Sequence, residues 1–145
     1  MALAAAGYSG KPVADKLGMK DGHAELFVNL PEDVADLAGA RDFASCEKTS
    51  WNALPGKGHY DFVHAFTTEK SDLEGNAARL RDWIMPDGMV WVSWPKKSSK
   101  VETDITEDTV RETLLPTGLV DVKVCAVTEI WSGLKLVVRK ELRTH

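Results

Sequence analysis

The chain is 145 residues long, with a net charge of -4, 43% hydrophobic residues and two cysteines. A chain of this length suits one domain, read here as 1–145, that buries about two-thirds of its unfolded surface without staples. The acidic balance argues against a duplex-binding surface, which needs clustered Lys and Arg, and Cys46 and Cys125, far apart and outside any CxxC pair, read as reduced thiols of a cytoplasmic protein.

Met1 to Gly7 is apolar but carries no basic residue and is too short for a signal core or a membrane span, so residues 1–10 read as a loose tail and no membrane partner is expected. Lys11 to Gly18 reads as a short helix, with Pro12 in its first turn, Val13 and Leu17 on one side and Gly18 in the left-handed closing position. Glu25 to Leu30 is the first strand. Pro31-Glu32-Asp33 then opens a helix with Val34, Leu37 and Ala38 inward and Gly39 at its end. From Ala40 to Gly58 the pattern is weak, with a short strand around Phe43 to Cys46 and a loop containing Trp51.

Tyr60 to Phe66 is apolar at almost every position, as in a strand covered on both faces. Ser71 and Glu74 form a capping-box signature before a helix with Leu73, Ala77, Leu80 and Ile84 inward, which should stop at Pro86. Gly88 leads into a second buried strand, MVWVSW, so strand, helix and strand make one right-handed βαβ crossover between parallel neighbours. The helix from Glu107 to Leu115 has Thr106 as its cap, Ile105 and Val110 as a hydrophobic staple, and Glu107 and Asp108 at the positive end of its dipole. Val120, Val122, Val124 and Ala126 alternate as one face of a long strand, and Trp131-Ser132-Gly133 is expected to turn it into GLKLVVRK as a β-hairpin.

Parallel βα units ending in an antiparallel hairpin, together with the Pro-Asp-Gly entry to the strand at Met89, resemble the C-terminal half of a class I methyltransferase. The resemblance covers mainly Tyr60 to Lys140. It implies an α/β fold: a Rossmann-like three-layer sandwich, mostly parallel, like a truncated methyltransferase. In that family a glycine-rich turn after the first strand cradles the methyl donor; here the same place reads Asn29-Leu30-Pro31-Glu32-Asp33. Without glycine the backbone cannot approach a ligand closely, Pro31 contributes no N–H, and two carboxylates occupy the anion-friendly helix end. No cofactor is therefore expected in the usual mode. An S-adenosylmethionine role would rest on Glu47, 18 residues after Asn29, where a second-strand acid would hold ribose hydroxyls. The phrases GYSGKP, SWPKK, TDITEDTVR and GLVDVKVCAVTEIWSGLK also resemble a small bacterial family known as a domain of unknown function.

Ligands of open parallel sheets bind beyond the carboxyl ends of the strands. That rule selects Asn29 to Pro31, Thr67 and Thr68, and Trp94 to Lys97 as one rim. Trp94 offers a stacking face while Lys96 and Lys97 can meet a phosphate or carboxylate; the competing reading is a core strand end with a solvated loop. Glu107, Asp108 and Arg111 are explained by the helix dipole and an i, i+4 pair. His64 reads as a buried structural histidine and Cys125 as an inert thiol. No Cys, His or Asp cluster completes a metal site. GYSGK has two residues where a P-loop has four, and no preceding strand, so it is not a P-loop; Tyr8 to Lys11 remains a candidate lid.

No residue is assigned a catalytic role. Three functions from different classes follow: a non-catalytic Rossmann-like module binding a small molecule or a protein partner, an atypical S-adenosylmethionine- or nucleotide-dependent enzyme, and a single-stranded nucleic-acid binder using Trp94, Lys96, Lys97 and Lys100. The acidic charge argues against the third. The exposed sheet edge and the five tryptophans also suit a homo-oligomer interface, although Trp83 and Trp91 read as core.

Overall fold

A computed structural model describes residues 13–143. The expected loose tail, the start of the first helix and the Tyr8 to Lys11 lid lie outside the described residues. Six strands, β1 (Ala24–Val28), β2 (Ser45–Thr49), β3 (Tyr60–Phe66), β4 (Ile84–Pro95), β5 (Leu119–Ala126) and β6 (Trp131–Val138), form one sheet in the order β2-β1-β3-β4-β6-β5. β2, β1, β3 and β4 pair in parallel, while β6 runs antiparallel to both β4 and β5. Helices α2 (Lys70–Trp83) and α3 (Glu107–Leu114) cover one face, and α1 (Val13–Leu17) with a 3-10 segment at Glu32–Gly39 covers the other. This is the Rossmann-like three-layer arrangement with a terminal hairpin.

Side-chain alternation explains the two cores. Val63 and Ala65 join Leu73, Leu80, Trp83, Val110 and Leu114 on one face. Phe62 and Phe66 join Leu17, Val34, Leu37 and Trp91 on the other. Trp83 and Trp91 are fully buried core residues, each with its indole N–H on a carbonyl, of Pro55 and Leu17 respectively. Gly18 closes α1 at φ 80°, and Thr106 caps α3 through the amide of Thr109, whose own hydroxyl accepts from the amide of Thr106.

Several local expectations are corrected by tertiary structure. Residues 32–39 form a 3-10 rather than an α-helical segment, with Val34 out of helical geometry and no side-chain cap at Pro31. β2 starts at Ser45, later than expected, and as an edge strand bonded to β1 it leaves four of its five residues exposed. Ser71 and Glu74 do not form a capping box. α2 starts at Lys70, and its first free amide donates to Asp104 Oδ1 at 2.7 Å, a cap supplied from 34 residues away. α2 also ends at Trp83, not Pro86: Ile84 already pairs with Tyr60, and Pro86-Asp87-Gly88 forms an irregularity inside β4 that shifts the register between Tyr60 and Phe62. Gly88 is required there, because a Cβ would lie 2.9 Å from the Tyr60 carbonyl.

The hairpin turn falls at residues 127–130, and Trp131-Ser132-Gly133 lies inside β6. Thr128 makes that turn by accepting the amides of Ile130 and Trp131 on its hydroxyl. The valine face of β5 is also broken: a register shift between Asp121 and Lys123 sends Asp121 to Arg111 in α3 and Lys123 to the Lys16 carbonyl in α1. Val122 and Val124 end exposed on an edge strand. Such a bulge blunts an edge against further pairing.

Candidate functional site

The carboxyl ends of β1, β2, β3 and β4 lie along one border of the sheet, as parallel pairing requires. The chain leaves β1 toward β2 on one side and has β3 on the other, so the topological switch point lies between β1 and β3. Two side chains converge there on the last carbonyl of β3. Trp51 Nε1 donates to the Phe66 oxygen at 2.8 Å, and Asn29 Nδ2 donates to the same oxygen at 3.3 Å. Asn29 takes the left-handed conformation at φ 59°, which Asn tolerates, and its amide donates to Thr49. The indole of Trp51 is thus anchored at the carboxyl end of β3, beside the crevice where an open α/β sheet admits a ligand. The sequence offered only one signal for this, a large amphipathic ring in a loop just after a strand.

Thr67 is 1% exposed and serves the turn into α2: its hydroxyl accepts the amide of Glu69 and donates to Asp72 Oδ2. Thr68 lends its carbonyl to the Thr103 hydroxyl. Glu47 lies in the middle of β2, in register with Leu26, and accepts from the Tyr60 phenol at 3.0 Å. Burial and that bond push the Tyr60 pKa up to about 12. Glu47 is therefore engaged below the strand end and is not brought beside Asn29. Asn29 itself borders a separate pocket of about 440 Å³ with Lys48 and Thr49.

Trp94, Lys96 and Lys97 do meet. They line a cleft of about 620 Å³ beyond β4, together with Lys100, Val101 and Ile105. Trp94 is mostly buried and joins the core beneath, whereas Lys96 is half-buried and Lys97 exposed. The loop holding the lysines is pinned. The Lys96 amide donates to Ile130, the Ser99 hydroxyl donates to the Lys96 carbonyl and accepts from the Val101 amide, and Lys100 is left-handed at φ 61°. Among the described residues none of these three ammonium groups has a carboxylate partner. A second pocket, about 450 Å³, adjoins the first and shares Glu102 and Thr103 with it.

Arg111 is held by Glu107 and Asp121, and those bonds raise its pKa. His64 is buried, bonds Ser93 Oγ at 2.7 Å and stacks on Phe66; desolvation pushes its pKa down to about 3. Burial raises the Cys125 thiol against the pull of Lys123 and Lys16, and Cys46 is raised in the same way with Glu25 adding to it. No group of three or more metal-ligating side chains occurs among the described residues. One buried acid escaped the sequence reading. Glu25, fully buried near the amino end of β1, accepts or donates at 3.2 Å with His23 Nδ1, and burial followed by Asp61 raises its pKa to about 8. Alternation hid it, because the strand was read by its apolar residues.

No protein-family model matches the chain, and no curated protein matches it. Solved structures do match. The ribosomal protein L11 methylase of Lactobacillus delbrueckii subsp. bulgaricus superposes with a TM-score of 0.58 at 12% identity, covering 86% of this chain and 72% of that one. A SAM dependent methyltransferase from Aquifex aeolicus gives 0.57 at 18% identity over 87% of this chain and 88% of its own. A TehB-like SAM-dependent methyltransferase from Corynebacterium glutamicum gives 0.56 at 12% identity, covering 94% and 92%. The fold is methyltransferase-like. The switch point is not fitted to a methyl donor held by a glycine-rich turn, since Pro31 follows β1 closely and the Trp51 indole occupies the Phe66 carbonyl. No helix of the described residues is long and apolar enough to cross a membrane.

Proposed function

We propose that this protein is a non-catalytic, methyltransferase-like module that binds a small anionic molecule in the cleft beside Trp94. The observation that carries the reading is the gathering of Lys96, Lys97 and Lys100, all unpaired among the described residues, around one cavity with an apolar wall of Trp94, Val101 and Ile105. A low-dielectric wall weakens the screening of such charges, so an anion there is held more firmly than on an open surface. The pinned loop lowers the ordering cost of binding. The same reading takes the chain as a member of the small bacterial family whose phrases it shares, acting in the cytoplasm.

A second reading is an S-adenosylmethionine- or nucleotide-dependent enzyme with an atypical grip, favoured by the overlap with methyltransferases over most of the chain. One titration separates the two, with thermal shift and calorimetry on inorganic phosphate, S-adenosylmethionine, its demethylated product, NAD and ATP. A phosphate-bearing ligand at ten times its Kd is expected to raise Tm by about 4 °C. Lys96→Glu with Lys97→Glu should abolish that shift. Saturable binding of S-adenosylmethionine that survives the double change would replace the first reading by the second.

A further inference from the structure

The cleft beside Trp94 does not end at the lysines. Glu102 and Thr103 line both it and the adjoining pocket, which Glu69 and Asp104 complete. Glu69, Glu102 and Asp104 are exposed and have no cationic partner among the described residues. Asp104 uses one oxygen to cap α2, which fixes its position without neutralising its charge. The Thr103 hydroxyl is tied to the Thr68 carbonyl and accepts the Ile105 amide, so the strip joining the two pockets is held at both edges. Lys96, Lys97 and Lys100 line the first cleft, where Glu107 is taken up by Arg111; Glu69 and Asp104 line the adjoining pocket, and Glu102 stands at the junction, lining both.

We propose that this groove selects a zwitterionic small molecule, its phosphate or carboxylate on Lys96, Lys97 and Lys100 and its amino or quaternary ammonium group toward Glu69, Glu102 and Asp104. The proposal rests on the anion-binding reading of the Trp94 cleft and adds the second charge. A simple anion is attracted by one end and repelled by the other, while a ligand of both signs satisfies both; like-charge juxtaposition is the selective element. A polyanion such as a triphosphate or a single-stranded oligonucleotide long enough to cross the groove places negative charge on the acidic end and is rejected. Length is bounded too. Lys100 and Asp104 are four residues apart, so their Cα atoms lie within about 14 Å even along fully extended chain.

The test is calorimetric titration of the full chain at low salt with ω-aminoalkyl phosphates of two to six carbons, the n-alkyl phosphates of equal length, pyrophosphate and ATP. The best aminoalkyl phosphate is expected to bind about two- to fivefold more tightly than its alkyl counterpart, the advantage an exposed charge pair supplies. Glu102→Gln should bring that ratio toward one while leaving alkyl phosphate bound, and should improve ATP. Lys97→Glu should weaken both series, whereas Lys123→Glu, beside α1 on the other face of the sheet, should change neither. Equal affinity for the amino and alkyl series, or ATP binding above both, overturns the zwitterion proposal and leaves the anion site standing. Absence of binding by every phosphate overturns both.

Discussion

Replacing Glu25 by Gln should change how stability depends on pH, in a direction opposite to that of a surface carboxylate. Glu25 is fully buried between β2 and β3 in register with Cys46 and Phe62, with Asp61 and His23 as its other titratable neighbours. Its pKa of about 8 in the fold stands above the ordinary 4.5, so the native state keeps a proton that the unfolded chain releases. The contribution of this group is therefore fully present below pH 4.5 and declines by about 1.4 kcal/mol per unit up to about 8. His64 works the other way: its pKa of about 3 lies below 6.5, so its contribution is complete above 6.5 and is lost as pH falls toward 3. The two slopes cancel between 4.5 and 6.5. Stability contributed by the pair should rise from pH 3 to 4.5, stay level to 6.5, then fall by about 2 kcal/mol by pH 8. Urea denaturation at half-unit steps from pH 3.5 to 8.5 measures this. Glu25→Gln should remove the fall above 6.5 and exceed the native chain at pH 8 but not at pH 4; His64→Phe should extend the fall down to 4.5. An unchanged slope above pH 6.5 in Glu25→Gln would refute the buried, protonated Glu25.

Trp51→Phe keeps a ring over the switch point but deletes the donor to Phe66, leaving Asn29 at 3.3 Å; a loss of about 1 kcal/mol by denaturation is expected. The variant should gain no saturable binding of S-adenosylmethionine, because Pro31 still follows β1 where a donor site has glycine; a gain would point to the indole alone as the barrier. Gly133→Ala places a Cβ at 3.1 Å from both Trp91 and Val127, and a cost of about 1–3 kcal/mol should appear as a lower midpoint at unchanged m-value.

What was legible in the sequence was the part fixed by local periodicity. YDFVHAF and MVWVSW read as strands buried on both faces, and each is buried there as a parallel neighbour of the other. Thr106 with Ile105 and Val110 marked α3 because its cap lies within three residues of itself. The misreadings share a different cause. Ser71 and Glu74 looked like a cap, yet the amide of Lys70 is met by Asp104 from across the fold. The valines of β5 alternate in sequence, and a single bulge sends Asp121 and Lys123, two residues apart, to opposite layers. Contacts made at long range override a local signal worth about 1 kcal/mol, and no pattern within a short window reports them.

The candidate site divides along the same line. Lys96 and Lys97 follow Trp94 directly, so adjacency in sequence already placed a ring and two ammonium groups together at a strand end. Asp104, just upstream of the α3 cap, could be read as facing the rim, but Glu69 and Trp51 reach the carboxyl border from the loops after β3 and β2, which only the parallel order β2-β1-β3-β4 brings to one border. That order has a consequence for how function and fold relate here. The sheet preserves the topology that creates a ligand crevice at its switch point; the loop after β2 sets a tryptophan beside that crevice, while the loop after β4 gathers lysines around another cleft. On the proposed reading, recognition lies with the loop after β4 under an unchanged strand order, which is the freedom expected where the scaffold is set by buried strands and recognition by the loops they carry.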